Sequence, residues 1–325
     1  MSSRRILVTG AAGFIGSHVA ETLLRRGDNV VALDNLNDYY DPARKRSNIK
    51  EVSAAARQSG QFEFVEGDIR NRELIRKLMA SGFDAIVHLA AMAGVRISVE
   101  DPWLYYDVNL TGTLNLLDAA REHGKPNFVF AATSSAYGRS AKVPFVETEA
   151  CDRPLAPYPA SKRAAEQLGF SYHHLHGLDF TALRFFTVYG PRGRPDMMAY
   201  KVFDTMRLGN EVPLYNGGKM HRDWTYVSDI VAGIVAASDR RLGYEIINLG
   251  RGEPVLLADF IETLEGLAGR KARLVSSPMM DADVAYTYAD ITKARRLLGY
   301  EPRVGVTDGV TRFYEWYIQN VGNFS

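Results

Sequence analysis

The sequence predicts an α/β protein, a doubly wound parallel sheet followed by a smaller C-terminal α/β lobe. Three observations carry this. Short apolar runs alternate with helix-length segments through the first half of the chain. A glycine trio, Gly10-x-x-Gly13-x-x-Gly16, stands between the first such run and the first helical segment. After about residue 180 the pattern breaks into shorter pieces punctuated by Pro and Gly, as in Tyr189-Gly190-Pro191-Arg192-Gly193-Arg194-Pro195 and Tyr215-Asn216-Gly217-Gly218.

The strands are expected at Arg5 to Val8, Val30 to Leu33, Phe62 to Val65, Ala85 to Leu89 and Asn127 to Ala131. Leu110, Leu114, Leu117 and Ala120 recur at helical spacing, as do Ala164, Leu168 and Tyr172, so each helix is expected to be buried along that side. Residues 1–180 are read as a nucleotide-binding Rossmann domain and 181–325 as mainly a substrate lobe. Segments around 222–250, such as Arg222 to Ile234 and Glu245 to Leu249, are able to return to the sheet.

Composition narrows the function. The 325 residues carry 39 Lys and Arg against 38 Asp and Glu, a net charge of +1. Such a balance offers no field for steering to nucleic acid or an anionic membrane, so neither is an expected partner. No apolar stretch approaches the roughly 20 residues of a membrane span, and the N-terminus lacks a signal-peptide pattern. The one cysteine, Cys151, cannot form an internal disulfide, which favours a reducing cytoplasm. No metal site is expected.

In Gly10-Ala11-Ala12-Gly13-Phe14-Ile15-Gly16, Gly10 allows the tight turn, Gly13 lets backbone N–H groups approach a pyrophosphate, and Gly16 lets a helix starting near Ser17 pack on the strand. Asp34 ends the second strand 18 residues beyond the last glycine, where a carboxylate binds ribose hydroxyls and repels a 2′-phosphate. This favours NAD over NADP, although a plain strand-end turn residue is the simpler reading of Asp34 alone. Asn35, Asp68, Ile69, Leu89, Ala90 and Ala91 are the further candidates for the cofactor site. Gly67-Asp68 also reads as an ordinary turn.

Tyr158 and Lys162 lie four apart and share a helix face. An ammonium near a phenol lowers its pKa from about 10 and makes the phenol a usable acid and base. By itself such a pair is usually a solvated face. Upstream, however, Thr133-Ser134-Ser135 follows a buried strand, at the strand end where open α/β sheets bind ligands. A turn rich in small polar residues is the bland alternative.

Together with His88-Leu89-Ala90-Ala91 and Thr133-Ser134-Ser135-Ala136-Tyr137-Gly138, these motifs resemble those of extended short-chain dehydrogenases acting on nucleotide sugars, from residue 5 to about 317. Asp34 to Pro42, Ala93-Gly94-Val95-Arg96, Phe185 to Pro191, Gly193 to Met197 and Gly218-Lys219-Met220-x-Arg222-Asp223 are similar to the UDP-glucuronate 4-epimerases in particular. The resemblance implies NAD as cofactor and UDP-glucuronate and UDP-galacturonate as substrates. It implies Tyr158 as the base at the sugar O4, Lys162 as its tuning partner on the nicotinamide ribose, and Thr133 as a hydrogen-bonding neighbour. Ser134, Ser135 and Thr187 would meet the sugar or its carboxylate, Arg194 that carboxylate, Arg222 the diphosphate and Asp283 the uridine ribose, with Tyr215 also binding substrate. Arg96 is a second candidate anion ligand. Asn109 would position the lysine through water, and helices around 103–122 and 159–176 would form a homodimer.

Two departures from the pattern stand out. Pro159 follows the tyrosine where Ala is usual, which requires Tyr158 to sit at the helix start. Met280-Asp281-Ala282-Asp283-Val284 replaces Gln-Pro-Gly-Asp-Val, and since Met280 cannot donate to a diphosphate, that contact is lost or supplied elsewhere. The related decarboxylases place Glu beside the threonine, and the dehydratases an Asp-Glu pair; this chain has Ser134 and Ser135, which favours epimerisation. UDP-glucose/UDP-galactose epimerisation, a decarboxylating UDP-glucuronate enzyme and a non-catalytic dinucleotide sensor are the alternatives. A sensor has no need of Tyr158, Lys162 and Thr133 together.

Overall fold

The computed structural model describes residues 3–56, 61–139, 142–279 and 281–323. Met280 lies outside the described residues. The first half runs β1 (Arg5–Thr9), α1 (Phe14–Arg26), β2 (Asn29–Asp34), α2 (Pro42–Ala56), β3 (Phe62–Glu66), α3 (Arg72–Met79) and β4 (Ala85–His88). It continues through α4 (Ile97–Glu100), α5 (Pro102–Tyr106), a π turn (Asp107–Thr111), α6 (Gly112–Glu122), β5 (Asn127–Thr133), α7 (Pro157–His176) and β6 (Phe180–Phe185). The second half comprises β7 (Thr187–Tyr189), α8 (Met198–Leu208), β8 (Glu211–Tyr215), β9 (His221–Tyr226), α9 (Val227–Ser238) and β10 (Tyr244–Leu249). It ends with β11 (Pro254–Leu256), α10 (Leu257–Ala268), β12 (Arg273–Ser277), α11 (Thr292–Leu298) and α12 (Val306–Asn320).

Seven parallel strands form the central sheet in the order β10-β6-β5-β4-β1-β2-β3. Ile6, Leu7, Val8, Ile86, Val87, Phe128 and Phe130 are buried because helices cover both faces. The strand order reverses between β1 and β4, which opens a crevice at their carboxyl ends. A three-stranded sheet, β11-β9-β7, and the pair β12-β8 complete the fold.

Several expectations change in detail. The first helix begins at Phe14, not near Ser17, because Gly13 already serves as its N-cap. The segment Arg222 to Ile234 divides: β9 joins the small sheet, whereas α9 packs on α1 and under β5. β10 pairs with β6 as the edge of the large sheet. The predicted apolar stripe on α6 is also rotated. Leu117 and Ala120 are buried, but Leu110 is half-buried and Leu114 is 40% exposed, while Thr113 and Leu116 turn inward. The π turn at Asp107–Thr111 inserts an extra residue into the helical repeat and shifts its phase. On α7 the buried face is Ser161, Lys162, Ala165, Glu166 and Gly169; Ala164, Leu168 and Tyr172 are half-buried. A Cβ at Gly169 would stand 2.4 Å from the Phe180 ring, so glycine lets α7 lie this close to β6.

Candidate functional site

At the crevice, the turn after β1 is built from backbone. Gly10 has φ +68 and donates its N–H to Leu33 O at 2.8 Å. A Cβ on Gly16 would come within 2.0 Å of the Gly10 carbonyl oxygen, so only glycine allows α1 to start there. Asp34 accepts from Ala12 N at 3.0 Å and from Leu36 N at 2.9 Å, which ties the end of β2 to the glycine turn. Burial pushes its carboxyl above the usual range, and these two N–H groups oppose the shift.

All the predicted cofactor residues, from Gly10, Gly13, Phe14, Ile15 and Gly16 through Asp34, Asn35, Asp68 and Ile69 to Leu89, Ala90, Ala91, Tyr158 and Lys162, line one cavity. Asn35 donates to Asp68 at 2.9 Å, and Arg70 holds the Asp68 carboxyl down at about 2. Lys45 lines the same cavity unforeseen; it donates to Asn37 O at 2.7 Å and lies over the Tyr40 ring.

A chain of hydrogen bonds joins this turn to α7. The Thr113 hydroxyl is 2.6 Å from Asn109 O and must donate its proton there, because a carbonyl only accepts. His88 Nε2, 2.9 Å from Thr113 Oγ1, is therefore the donor on that side. Nδ1 then accepts from the Thr9 hydroxyl at 2.7 Å, and Thr9 Oγ1 accepts from Ala90 N. Burial, with the nearby Lys162 charge, keeps His88 well below its ordinary pKa and hence neutral. Asn109 grips both backbone groups of Met92 and donates to Ser161 Oγ, whose hydroxyl donates to Tyr158 O. Asn109 thus acts on the tyrosine turn through direct bonds.

Tyr158 occupies the first turn of α7, between Pro157 and Pro159, as the second proline requires. Its hydroxyl lies beside Thr133 at the end of β5. Burial raises the phenol above its ordinary value, opposed by Thr133 and by the Arg194 charge. This corrects the expected lowering by Lys162. The Lys162 ammonium is itself buried, 4.6 Å over the Phe130 ring, forms no hydrogen bond among the described residues and is driven down to about 7 by desolvation.

A second cavity adjoins the first, walled by Arg96, Thr187, Asp196, Lys201, Tyr215, Arg222, Trp224 and Asp283 among others. Arg96 stacks 3.7 Å over the Tyr215 ring and bonds Asp283 at 2.8 Å, so Asp283 is held by a cation that the sequence treated as an alternative ligand. Arg222 donates to His221 O, and burial lowers its pKa to about 10, with Asp283 opposing and Arg96 adding to the shift. Ser134 and Ser135 stand in the turn after Thr133 and contribute to the walls of neither cavity. Arg194 faces the first cavity, where Nε and one terminal nitrogen hold Asp196 at 2.9 and 2.7 Å. Asp196 had no separate role in the sequence reading; two residues from Arg194 in a Pro-containing loop, it gave no periodic signal.

The doubly wound sheet, its glycine turn at the switch point, and Tyr158 beside Thr133 with a buried Lys162 one helical turn on define a dinucleotide site of the short-chain dehydrogenase type. The chain belongs to the NAD dependent epimerase/dehydratase family, whose profile matches residues 6–250. It is 44% identical to a UDP-glucuronate 4-epimerase of Thermodesulfobacterium geofontis, over 97% of this chain and 96% of that protein. The crystal structure of a UDP-glucuronic acid 4-epimerase from Bacillus cereus, in complex with UDP-glucuronic acid and NAD, superposes with a TM-score of 0.90 at 35% identity, covering 97% of this chain and 99% of that one. A dTDP-glucose 4,6-dehydratase from Streptomyces venezuelae with NAD bound gives the same TM-score at 30% identity, covering 97% of each chain. Backbone likeness therefore does not separate these reactions; the side chains at the site must.

Proposed function

We propose that this chain is an NAD-dependent UDP-glucuronate 4-epimerase. One observation carries the choice of reaction beyond the full-length likeness to such enzymes: Thr133, beside the Tyr158 hydroxyl, is followed by Ser134 and Ser135, where elimination would call for a carboxylate. A proton acceptor for O4 is in place. Neither of the two residues after Thr133 carries a carboxylate that would steer the keto sugar toward elimination.

The residues fit NAD. Gly13 at the N-cap of α1 leaves backbone N–H groups open to a pyrophosphate, Gly16 lets that helix start against the turn, Asp34 stands ready for the adenosine ribose, and the buried Lys162 ammonium needs oxygen acceptors such as the nicotinamide ribose hydroxyls. Bound NAD would supply a two-electron acceptor that takes a hydride from the sugar and gives it back to the keto form. Ribose hydroxyls on Lys162 favour its charged form, and that charge stabilises the phenolate of Tyr158. Tyr158 then takes the O4 proton as C4 becomes a ketone, with Thr133 donating to the same oxygen. After the keto sugar turns its other face, Tyr158 returns the proton. Arg222, Arg96 and Lys201 gather positive charge for the diphosphate, Arg194 and Thr187 approach the uronate, and Tyr215 and Asp283 flank the uridine.

In this reading residues 1–180 serve the cofactor and 181–325 mainly the UDP-sugar, with α9 and β10 returned to the large sheet. We also propose a homodimer through α4 to α7. Trp103 is 85% exposed and Leu175 70%, with Val99 and Phe170 also exposed, an apolar surface that a second copy would cover. Sedimentation should show a dimer that Trp103→Asp disperses; a wild-type monomer would refute it. The lone, buried Cys151 suits a reducing cytoplasm, which cell fractionation would check.

The direct test is incubation of purified protein with UDP-glucuronate and no added NAD. UDP-galacturonate should form, and denatured protein should release NAD. A neutral-sugar epimerase is the second reading, favoured by the pairing of Arg194 with Asp196. Turnover of UDP-glucose alone would select it.

A further inference from the structure

Arg194 and Asp196 stand on the turn between β7 and α8 and form the wall between the two cavities, Arg194 facing the one with Tyr158 and Asp196 the one with Arg222. The pair is bidentate, and its side chains are only 22% and 29% exposed. Tyr39 directs its hydroxyl to Asp196 Oδ2 at 3.3 Å and lays its ring 5.5 Å from the Arg194 guanidinium. Parallel N–H···O bonds to two oxygens of one carboxylate are also what a sugar carboxylate would seek from this guanidinium. Asp196 and a uronate are therefore rivals for the same edge of Arg194.

Epimerisation gives the rivalry a use. When the keto sugar turns, its contact with Arg194 must break, and a guanidinium left unpaired in a largely buried wall is strongly disfavoured. Asp196 is already at hand to take it back. Resting on the reading of the chain as a UDP-glucuronate 4-epimerase, we infer that Asp196 is the exchange partner of Arg194: it holds the guanidinium whenever the sugar carboxylate does not, which weakens uronate binding and speeds the turn of the intermediate. Asp196 is in this sense a positioning residue, and Tyr39 keeps it in reach. The Arg194 charge lowers the Asp196 pKa, so the carboxylate competes in its ionised form.

The test uses the NAD-loaded holoenzyme, with calorimetric Kd values for UDP-glucuronate and UDP-glucose and kcat for the uronate. Asp196→Asn should tighten UDP-glucuronate on the order of tenfold, the weight of one charge-assisted contact, and lower its kcat, while tightening UDP-glucose by a clearly smaller factor through the shared diphosphate alone. Adding Arg194→Ala should abolish the tightening. If Asp196→Asn does not fold, Tyr39→Phe loosens Asp196 without removing its charge and should shift both values the same way by a smaller factor. Weaker or unchanged uronate binding, or tighter binding with kcat intact, overturns the inference alone. Wild-type holoenzyme that binds UDP-glucose and not UDP-glucuronate overturns the functional reading and the inference with it.

Discussion

The two cavities are made differently. Around the glycine turn the walls are set by backbone: Gly10 in the left-handed region, a Gly16 that no Cβ could replace, and Asp34 clamped by two N–H groups. Around Arg222 the walls are side chains that satisfy one another, Arg96 with Asp283 and Tyr39 with Asp196 across long stretches of sequence, and Arg194 with Asp196 within one turn. A backbone cradle can hold a ligand that stays through every cycle. Ion pairs that already have internal partners suit a ligand that must enter, turn and leave, because each cation has a partner in every state.

The comparison breaks most sharply at Gly16. Gly16→Ala sets a Cβ against the Gly10 carbonyl, and α1 cannot withdraw without opening the turn. The variant should purify without NAD and lose about 3 kcal/mol or more of stability, measured by denaturant unfolding and by nucleotide released on denaturation. A stable, NAD-loaded Gly16→Ala protein would mean that side chains, not backbone, make the cradle.

Tyr158→Phe acts on the seam between the cavities. It removes the proton acceptor and little else, so turnover should fall about 10²- to 10⁴-fold while UDP-sugar affinity stays near wild type. Wild-type turnover in this variant would sink the assignment of the base.

A smaller effect concerns Lys162 in NAD-free protein. Its folded pKa, about 7, lies below the ordinary lysine value of 10.5, so between these pH values the unfolded chain binds more protons than the folded one. The contribution of this group to stability therefore rises with pH across that window. Lys162→Met should flatten the rise in unfolding free energy between pH 7 and 10 and stabilise the apoprotein at pH 7. An unchanged pH profile would show that the ammonium is not desolvated as described.

The same contrast explains what could be read from the chain. Gly10, Gly13, Gly16 and Asp34 were legible because a local strand, turn and helix dictate them, and the residues at the ends of β4 and β5 followed from the sheet order. The Tyr158/Lys162 pair was legible as a helix repeat, but the direction of the Tyr158 shift was not, since it depends on how deeply α7 buries against Phe130. Leu114 was misplaced because a π turn leaves no mark on hydrophobic periodicity until its phase shift is seen. Asp196 escaped notice for another reason: its partner Tyr39 is 157 residues away, and nothing local announces the contact.

The central claim is that one buried site oxidises C4 and restores the same hydrogen to its other face. UDP-glucuronate carrying deuterium at C4, incubated in ordinary water with the purified protein and no added cofactor, tests it directly. Deuterium retained at C4 of the UDP-galacturonate formed is the predicted result. Loss of the label to solvent, or a decarboxylated keto sugar as the main product, would contradict it.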